Sequence, residues 1–138
     1  MVELVPPATQ EEHRIGRHAA LANGDDAMTK ISAKSGVITL INVFIVEPAN
    51  QQRLIELLTE ATEVSVCRAP GFVSASLHRS TDGTKVTMYA QWRSIHHYQA
   101  MRQDPVPLPF LEEALKIAKF EPGVYEVVRT FGPLGEPD

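Results

Sequence analysis

From Val37 to Val46 the chain reads Val-Ile-Thr-Leu-Ile-Asn-Val-Phe-Ile-Val, an apolar run rich in β-branched residues and free of Gly and Pro. Its length and composition predict a strand over about residues 37–47. Glu47-Pro48-Ala49-Asn50 then forms a helix entry with Pro near the first turn. Leu54, Leu57, Leu58, Ala61 and Val64 or Ser65 recur at helical period, so the first helix carries one apolar stripe before Pro70-Gly71 stops it. Residues 72–79 and 85–92 read as strands joined through Ser80-Thr81-Asp82-Gly83-Thr84, and Asp-Gly is a strong hairpin signal. Ser94 suits the N-cap of a short helix with Ile95, Tyr98 and Met101 on one side. Pro105, Pro107 and Pro109 break that helix, and a third follows with Leu108, Leu111, Leu115 and Ala118 as its stripe. Pro122-Gly123 should turn the chain into a last strand over residues 124–131.

This order predicts an α+β fold: a ferredoxin-like split βαβ with a four-stranded antiparallel sheet and its helices on one face. The first strand carries a further message. An antiparallel sheet with one wet face alternates apolar and polar residues, whereas here Ile38, Leu40, Phe44 and Val46 share one side and Val37, Ile41, Val43 and Ile45 the other. Helices cover only one face, so a second copy of the chain is the economical cover for the other. A homodimer, forming a dimeric α/β barrel, is expected. Residues 1–35 differ in character, punctuated by Pro6-Pro7, Gly24-Asp25-Asp26 and Ser35-Gly36 with a short helix expected over residues 10–23. They are read as an N-terminal extension packing on the body or on a partner, and residues 36–138 as the domain.

Composition narrows the partners. A length of 138 residues with 43% hydrophobic content suffices for one domain with a real core. A formal charge of −4 and the lack of any Lys/Arg run argue against nucleic acid and anionic membranes. Cys67 is the only cysteine, which excludes an internal disulfide and suits a reducing compartment. Residues 1–13 show neither a basic nor an apolar leader region, and no apolar stretch reaches spanning length. A cytoplasmic protein without membrane attachment is the expectation.

Candidate chemistry begins with Asn42. An amide inside an apolar strand lacks water, and an unpartnered buried polar group costs about 1–3 kcal/mol. Asn42 therefore has either a fixed structural partner or a pocket that something else fills. Trp92, where the third strand leaves the sheet, is either a core plug or a pocket wall with one N–H donor. Ser74, Ala75 and Ser76 leave room on the second strand, either for a cavity or for Trp92 itself. Tyr89, Gln91, Tyr125 and Arg129 are assigned to the dimer interface. The chain has no glycine-rich phosphate loop, Cys-x-x-Cys, His-Glu-x-x-His or Gly-x-Ser-x-Gly. His13 and His18 are badly spaced for a shared helix face, His96 and His97 diverge, and His78 falls at a strand rim. Nothing calls for a flavin, a nicotinamide or a metal, and no cofactor is expected.

Three segments, Thr39-Leu40-Ile41-Asn42-Val43-Phe44, Arg68-Ala69-Pro70-Gly71-Phe72-Val73 and Tyr89-Ala90-Gln91-Trp92-Arg93-Ser94, resemble the antibiotic biosynthesis monooxygenase family over residues 37–131. The resemblance implies a dimeric ferredoxin-like α+β barrel. It also implies that Asn42 and Trp92 are the catalytic candidates, in a pocket for an aromatic anthrone or quinol. Phe44, Ser74, Met88, Tyr98, Leu111 and Leu115 are expected to bind the substrate. Two departures stand out. Polyketide-oxidising members often carry an Arg on the helix before the last strand, where this chain offers Lys116 and Lys119. Haem-degrading relatives use a helical His, and residues 105–118 contain none.

The implied activity is a cofactor-independent monooxygenase oxidising an aromatic polyketide-like or quinol substrate with dioxygen. A deprotonated phenol or anthrone can itself give an electron to dioxygen, so the protein need only shape a dry pocket and stabilise the oxyanion. Asn42 would face the oxyanion and Trp92 would wall the pocket. The base would be the substrate's own acidity or a nearby His. The alternative is a non-enzymatic dimeric barrel that binds a small molecule or a partner protein. An Asn42 amide satisfied by protein atoms, or one facing an open cavity, separates the two.

Overall fold

The computed structural model describes residues 28–135. Strand β1 (Ile38–Val46) leads through a 3-10 turn (Pro48–Asn50) into helix α1 (Gln51–Val64), and a second 3-10 turn (Val66–Arg68) precedes the hairpin of β2 (Phe72–Arg79) and β3 (Lys85–Trp92). Helix α2 (Ile95–Met101), helix α3 (Leu108–Ile117) and the short strands β4 (Ala118–Glu121) and β5 (Val124–Tyr125) complete the chain. All pairings are antiparallel, in the order β2-β3-β1-β4, with β5 also paired to β1. This is the expected ferredoxin-like arrangement.

Local signals account for most of these elements. Gly83 turns the hairpin with φ +83°, and Asp82 Oδ1 accepts from Thr84 N, Thr84 Oγ1 and Ser80 Oγ within the same loop. Ser94 Oγ accepts the His97 amide at 3.2 Å, the expected cap of α2. Leu54, Leu57, Leu58 and Ala61 on α1 are buried, as the stripe predicted. They pack with Phe44, Val46, Val86 and Ala114 in the main core. A second cluster joins Leu40, Ala90 and Trp92, with Trp92 edge-on to Phe72 at 5.4 Å and to Tyr98 at 5.9 Å. Among the described residues no helix is long and apolar enough to cross a membrane.

The C-terminal strand departs from expectation. The sheet has five strands, not four. Its last partner of β1 starts at Ala118, inside the stripe assigned to the third helix, and breaks at Pro122-Gly123. Proline has no N–H for the ladder, so the edge strand divides there, while Gly123 O still accepts the Ile41 amide at 3.0 Å. Residues 126–131 are not strand. With Thr39 opposite Tyr125, the antiparallel register reaches the start of β1 almost at once, and later residues have nothing to pair with.

On the face away from the helices, Thr29 Oγ1 donates to Ser74 Oγ (3.0 Å) and Ser74 Oγ to Gln91 Oε1 (2.7 Å). Gln91 Nε2 donates to Lys30 O at 2.7 Å. Residues 29 and 30 are thus tied across one end of that face. The helix expected over residues 10–23, with His13 and His18, lies outside the described residues.

Candidate active site

Residue pairing across β1 and β3 sets the site. Ile38 opposes Trp92, Leu40 opposes Ala90, and Asn42 opposes Met88. Side chains alternate between faces along a strand, so this register puts Asn42, Met88 and Trp92 on the helix-facing side together. There they line a cavity of about 190 Å³, closed by Leu58, Ala61 and Thr62 of α1, Tyr98 and Met101 of α2, and Leu111 of α3. The lining is mostly apolar.

Within that wall the Asn42 amide oxygen is buried and has no hydrogen-bond partner. Thr62, the polar α1 residue of the lining, donates its hydroxyl proton to Leu58 O at 2.8 Å. Trp92, 1% exposed, forms one wall, and Phe44, stacked on Phe120 at 4.8 Å, forms another. Asn42 thus lines the cavity with an amide oxygen that no protein group satisfies.

Two charged side chains also line the cavity, Arg102 and Asp104. The Ser65 hydroxyl donates to Asp104 Oδ2, and the Val106 amide donates to Oδ1 at 3.0 Å. The Ser65 bond first, then the Val106 bond, hold the Asp104 carboxyl below the usual aspartate range. These two bonds tie Asp104 into the connection between α2 and α3. Arg102 lies over the Tyr98 ring, 5.9 Å from its centroid. Among the described residues no group of three or more His, Cys, Asp and Glu side chains is arranged to hold a metal ion.

Comparison with known proteins bears directly on this arrangement. The family model for antibiotic biosynthesis monooxygenases matches residues 37–106. The tetracenomycin-F1 monooxygenase of Streptomyces glaucescens is 40% identical over 105 residues, covering 76% of this chain and 94% of that protein. The chain belongs to the antibiotic biosynthesis monooxygenase family. Among solved structures of its relatives, a monooxygenase from the ActVA-Orf6 gene of Streptomyces coelicolor, bound to nanaomycin D, is 31% identical with a TM-score of 0.60 over 71% of this chain and 92% of that one. The fold is shared with SnoaB, a cofactor-independent oxygenase from Streptomyces nogalater, at 23% identity and a TM-score of 0.58, covering 74% of this chain and 100% of that one.

In this family member, six residues singled out from the sequence meet at the cavity: Asn42, Trp92, Phe44, Met88, Tyr98 and Leu111. Two do not. Ser74 pairs with Gln91 while Phe72 pairs with Trp92, so a bulge inserts one residue between them. That extra residue reverses the parity of β2, sending Ser74 to the outer face and Ala75, opposite Ala90, into the cavity wall. Leu115 is 53% exposed, because α3 is turned so that Ala114, fully buried, meets the core. Arg102 and Asp104 were not anticipated. Arg102 lies four residues after Tyr98, on the same side of α2, and that spacing was the available signal.

Proposed function

We propose that this chain is a cofactor-independent monooxygenase that oxidises an electron-rich phenolic or anthrone-type aromatic with dioxygen. One observation carries the reading: a buried Asn42 amide oxygen without a protein partner, on a residue lining an apolar cavity walled by Trp92. Membership of a monooxygenase family, and the 40% identity to a tetracenomycin-F1 monooxygenase, support it.

The chemistry follows from the amide. Its two ends exchange by a half-turn of the side chain, offering an acceptor to a phenolic O–H or N–H donors to the phenolate. Donors held in a poorly solvated cavity stabilise an oxyanion more than water-exposed ones do. Trp92 and Phe44 would hold the aromatic plane. The substrate anion gives one electron to dioxygen, and the resulting radical and superoxide combine to form a carbon–oxygen bond. Protonation and loss of water then leave a carbonyl. In balance, a ring CH₂ plus O₂ gives C=O plus H₂O, with the substrate as the only reductant.

The reading includes a homodimer, with a second copy covering the outer face of the sheet, and a cytoplasmic location. Apolar Ile41, Val43 and Ile45 on that face support the first, and the single cysteine supports the second.

Oxygen uptake is to be measured with anthrones and hydroquinones in chelator-treated buffer, using isotopically labelled dioxygen. The expected result is catalysed uptake with one labelled atom in the product, lost in Asn42→Ala. Wild-type uptake no faster than the spontaneous rate would overturn the proposal.

A further inference from the structure

The cavity is small for a fused polycycle. Its volume is about 190 Å³, and an apolar cavity of about 150 Å³ accommodates a benzene. A substrate with several fused rings must therefore project through the mouth. Of all the lining residues, only Arg102 and Leu108 are solvent-exposed, which locates the mouth between the end of α2 and the start of α3. Whatever extends from the cavity passes these two side chains.

Their chemistry differs from that of the interior. Arg102 and Asp104 are the charged residues of the lining, but they are not equally available. Each Asp104 oxygen already accepts a hydrogen bond, from Ser65 Oγ and from Val106 N. Arg102 makes no ion pair with another described residue, and its described contact is the Tyr98 ring face. Stacking on an aromatic leaves the N–H edges of a guanidinium open, and that planar fork matches a carboxylate. Arg102 is the one cation of the lining, beside an Asp104 carboxylate engaged by Ser65 and Val106, in a protein of formal charge −4.

We propose that Arg102 is a specificity-determining residue, binding a carboxylate on the part of a polycyclic aromatic substrate that projects from the cavity. The inference rests on the reading of the cavity as an aromatic substrate site. What it assigns is the residue that would hold such an acid group, remote from the ring that is oxidised. The lysines of the last helix do not compete for this role, since Lys116 is paired with Glu113 at 2.8 Å and neither Lys116 nor Lys119 lines the cavity.

Trp92 is the only tryptophan and a wall of the cavity, so its fluorescence reports occupancy without turnover. The probes are an anthraquinone carboxylate and the matching carboxamide, titrated into wild type, Arg102→Gln and Arg102→Lys. Wild type is expected to bind the carboxylate about fivefold more tightly, the upper end for one ion pair at an exposed site. That preference should vanish in Arg102→Gln, survive in part in Arg102→Lys, and narrow as salt rises. Equal wild-type affinity for the two probes, an undiminished preference in Arg102→Gln, or no quenching by either probe would overturn the inference. Because binding is read without oxygen, a preference that holds in an enzyme inert toward dioxygen would sink the activity reading and leave this one standing. The converse pattern would sink only this one.

Discussion

Asn42 and Met88 are directly opposed across the β1–β3 ladder, and both side chains line the cavity. A thioether has no proton to donate, and the residues two positions along β1 on the same face, Leu40 and Phe44, have none either. The Asn42 oxygen is left unpartnered by this neighbourhood. Under the proposed function, a substrate hydroxyl would supply that partner.

Replacing Asn42 with Leu separates a functional amide from a structural one. The variant should be as stable as wild type or more so, since an unsatisfied buried acceptor costs about 1–3 kcal/mol. Thermal denaturation should show an unchanged or raised Tm while oxygen uptake is lost. A variant that unfolds would make Asn42 a structural amide, and one that keeps full activity would move the site elsewhere.

Gly71 O accepts the amide of Arg93, the residue after Trp92, at 2.8 Å. Gly71 has φ +85°, and a Cβ there would lie 2.1 Å from His97 Cγ. Gly71→Ala therefore combines backbone strain of about 1–3 kcal/mol with displacement of the His97 ring, whose Nδ1 lies 2.8 Å from Ser94 Oγ. Gly36, at φ +77° with open space around it, is the matched control. Gly71→Ala should lower Tm clearly more than Gly36→Ala. Equal losses would show that the approach of His97 costs nothing.

The hairpin carries a pH signature. Hydrogen bonds from the Thr84 hydroxyl, the Thr84 amide and Ser80 lower the Asp82 pKa from the ordinary 3.8 to about 2. A depressed carboxyl stabilises the fold above its unfolded value and loses that contribution as pH falls through the folded one. The Tm gap between wild type and Asp82→Ala should thus be full at neutral pH, begin to close below about pH 4, and be nearly gone near pH 2. Scanning calorimetry across that window is the check, and a constant gap would refute the linkage.

Assembly is tested on the outer face. Val43 lies between Thr87 and Glu121 on the side away from the helices. If a second copy covers that side, Val43→Asp buries a charge with no cation opposite it on either neighbouring strand and should shift light-scattering mass from dimer to monomer. A wild type that is already monomeric at micromolar concentration would remove the dimer from the proposal.

Much of the fold was legible along the chain because the signals are local. Alternation placed Asn42 with Leu40 and Phe44, and Trp92 with Met88 and Ala90. The Asp82-Gly83 pair marked the hairpin, Ser94 the cap of α2, and the stripe at Leu54, Leu57, Leu58 and Ala61 the buried face of α1. These features depend on side-chain period and on backbone preferences within a few residues. Family resemblance, carried by short motifs, was legible for the same reason.

What only the tertiary structure decided involves partners distant in sequence. The pairing of Asn42 with Met88 depends on register, which no single strand encodes. A bulge between Phe72 and Ser74 sent Ser74 outward, and it exists only relative to the opposite strand. The rotation of α3 that buries Ala114 and exposes Leu115 is chosen by its packing against the main core. The division of the last strand at Pro122 follows from what β1 still has to pair. Arg102 reached the cavity mouth because the α2–α3 connection folds over that end, held by Ser65 and Asp104, 39 residues apart. Sequence periodicity specifies which side of an element is apolar; the meeting of those sides is set by packing between elements far apart in the chain.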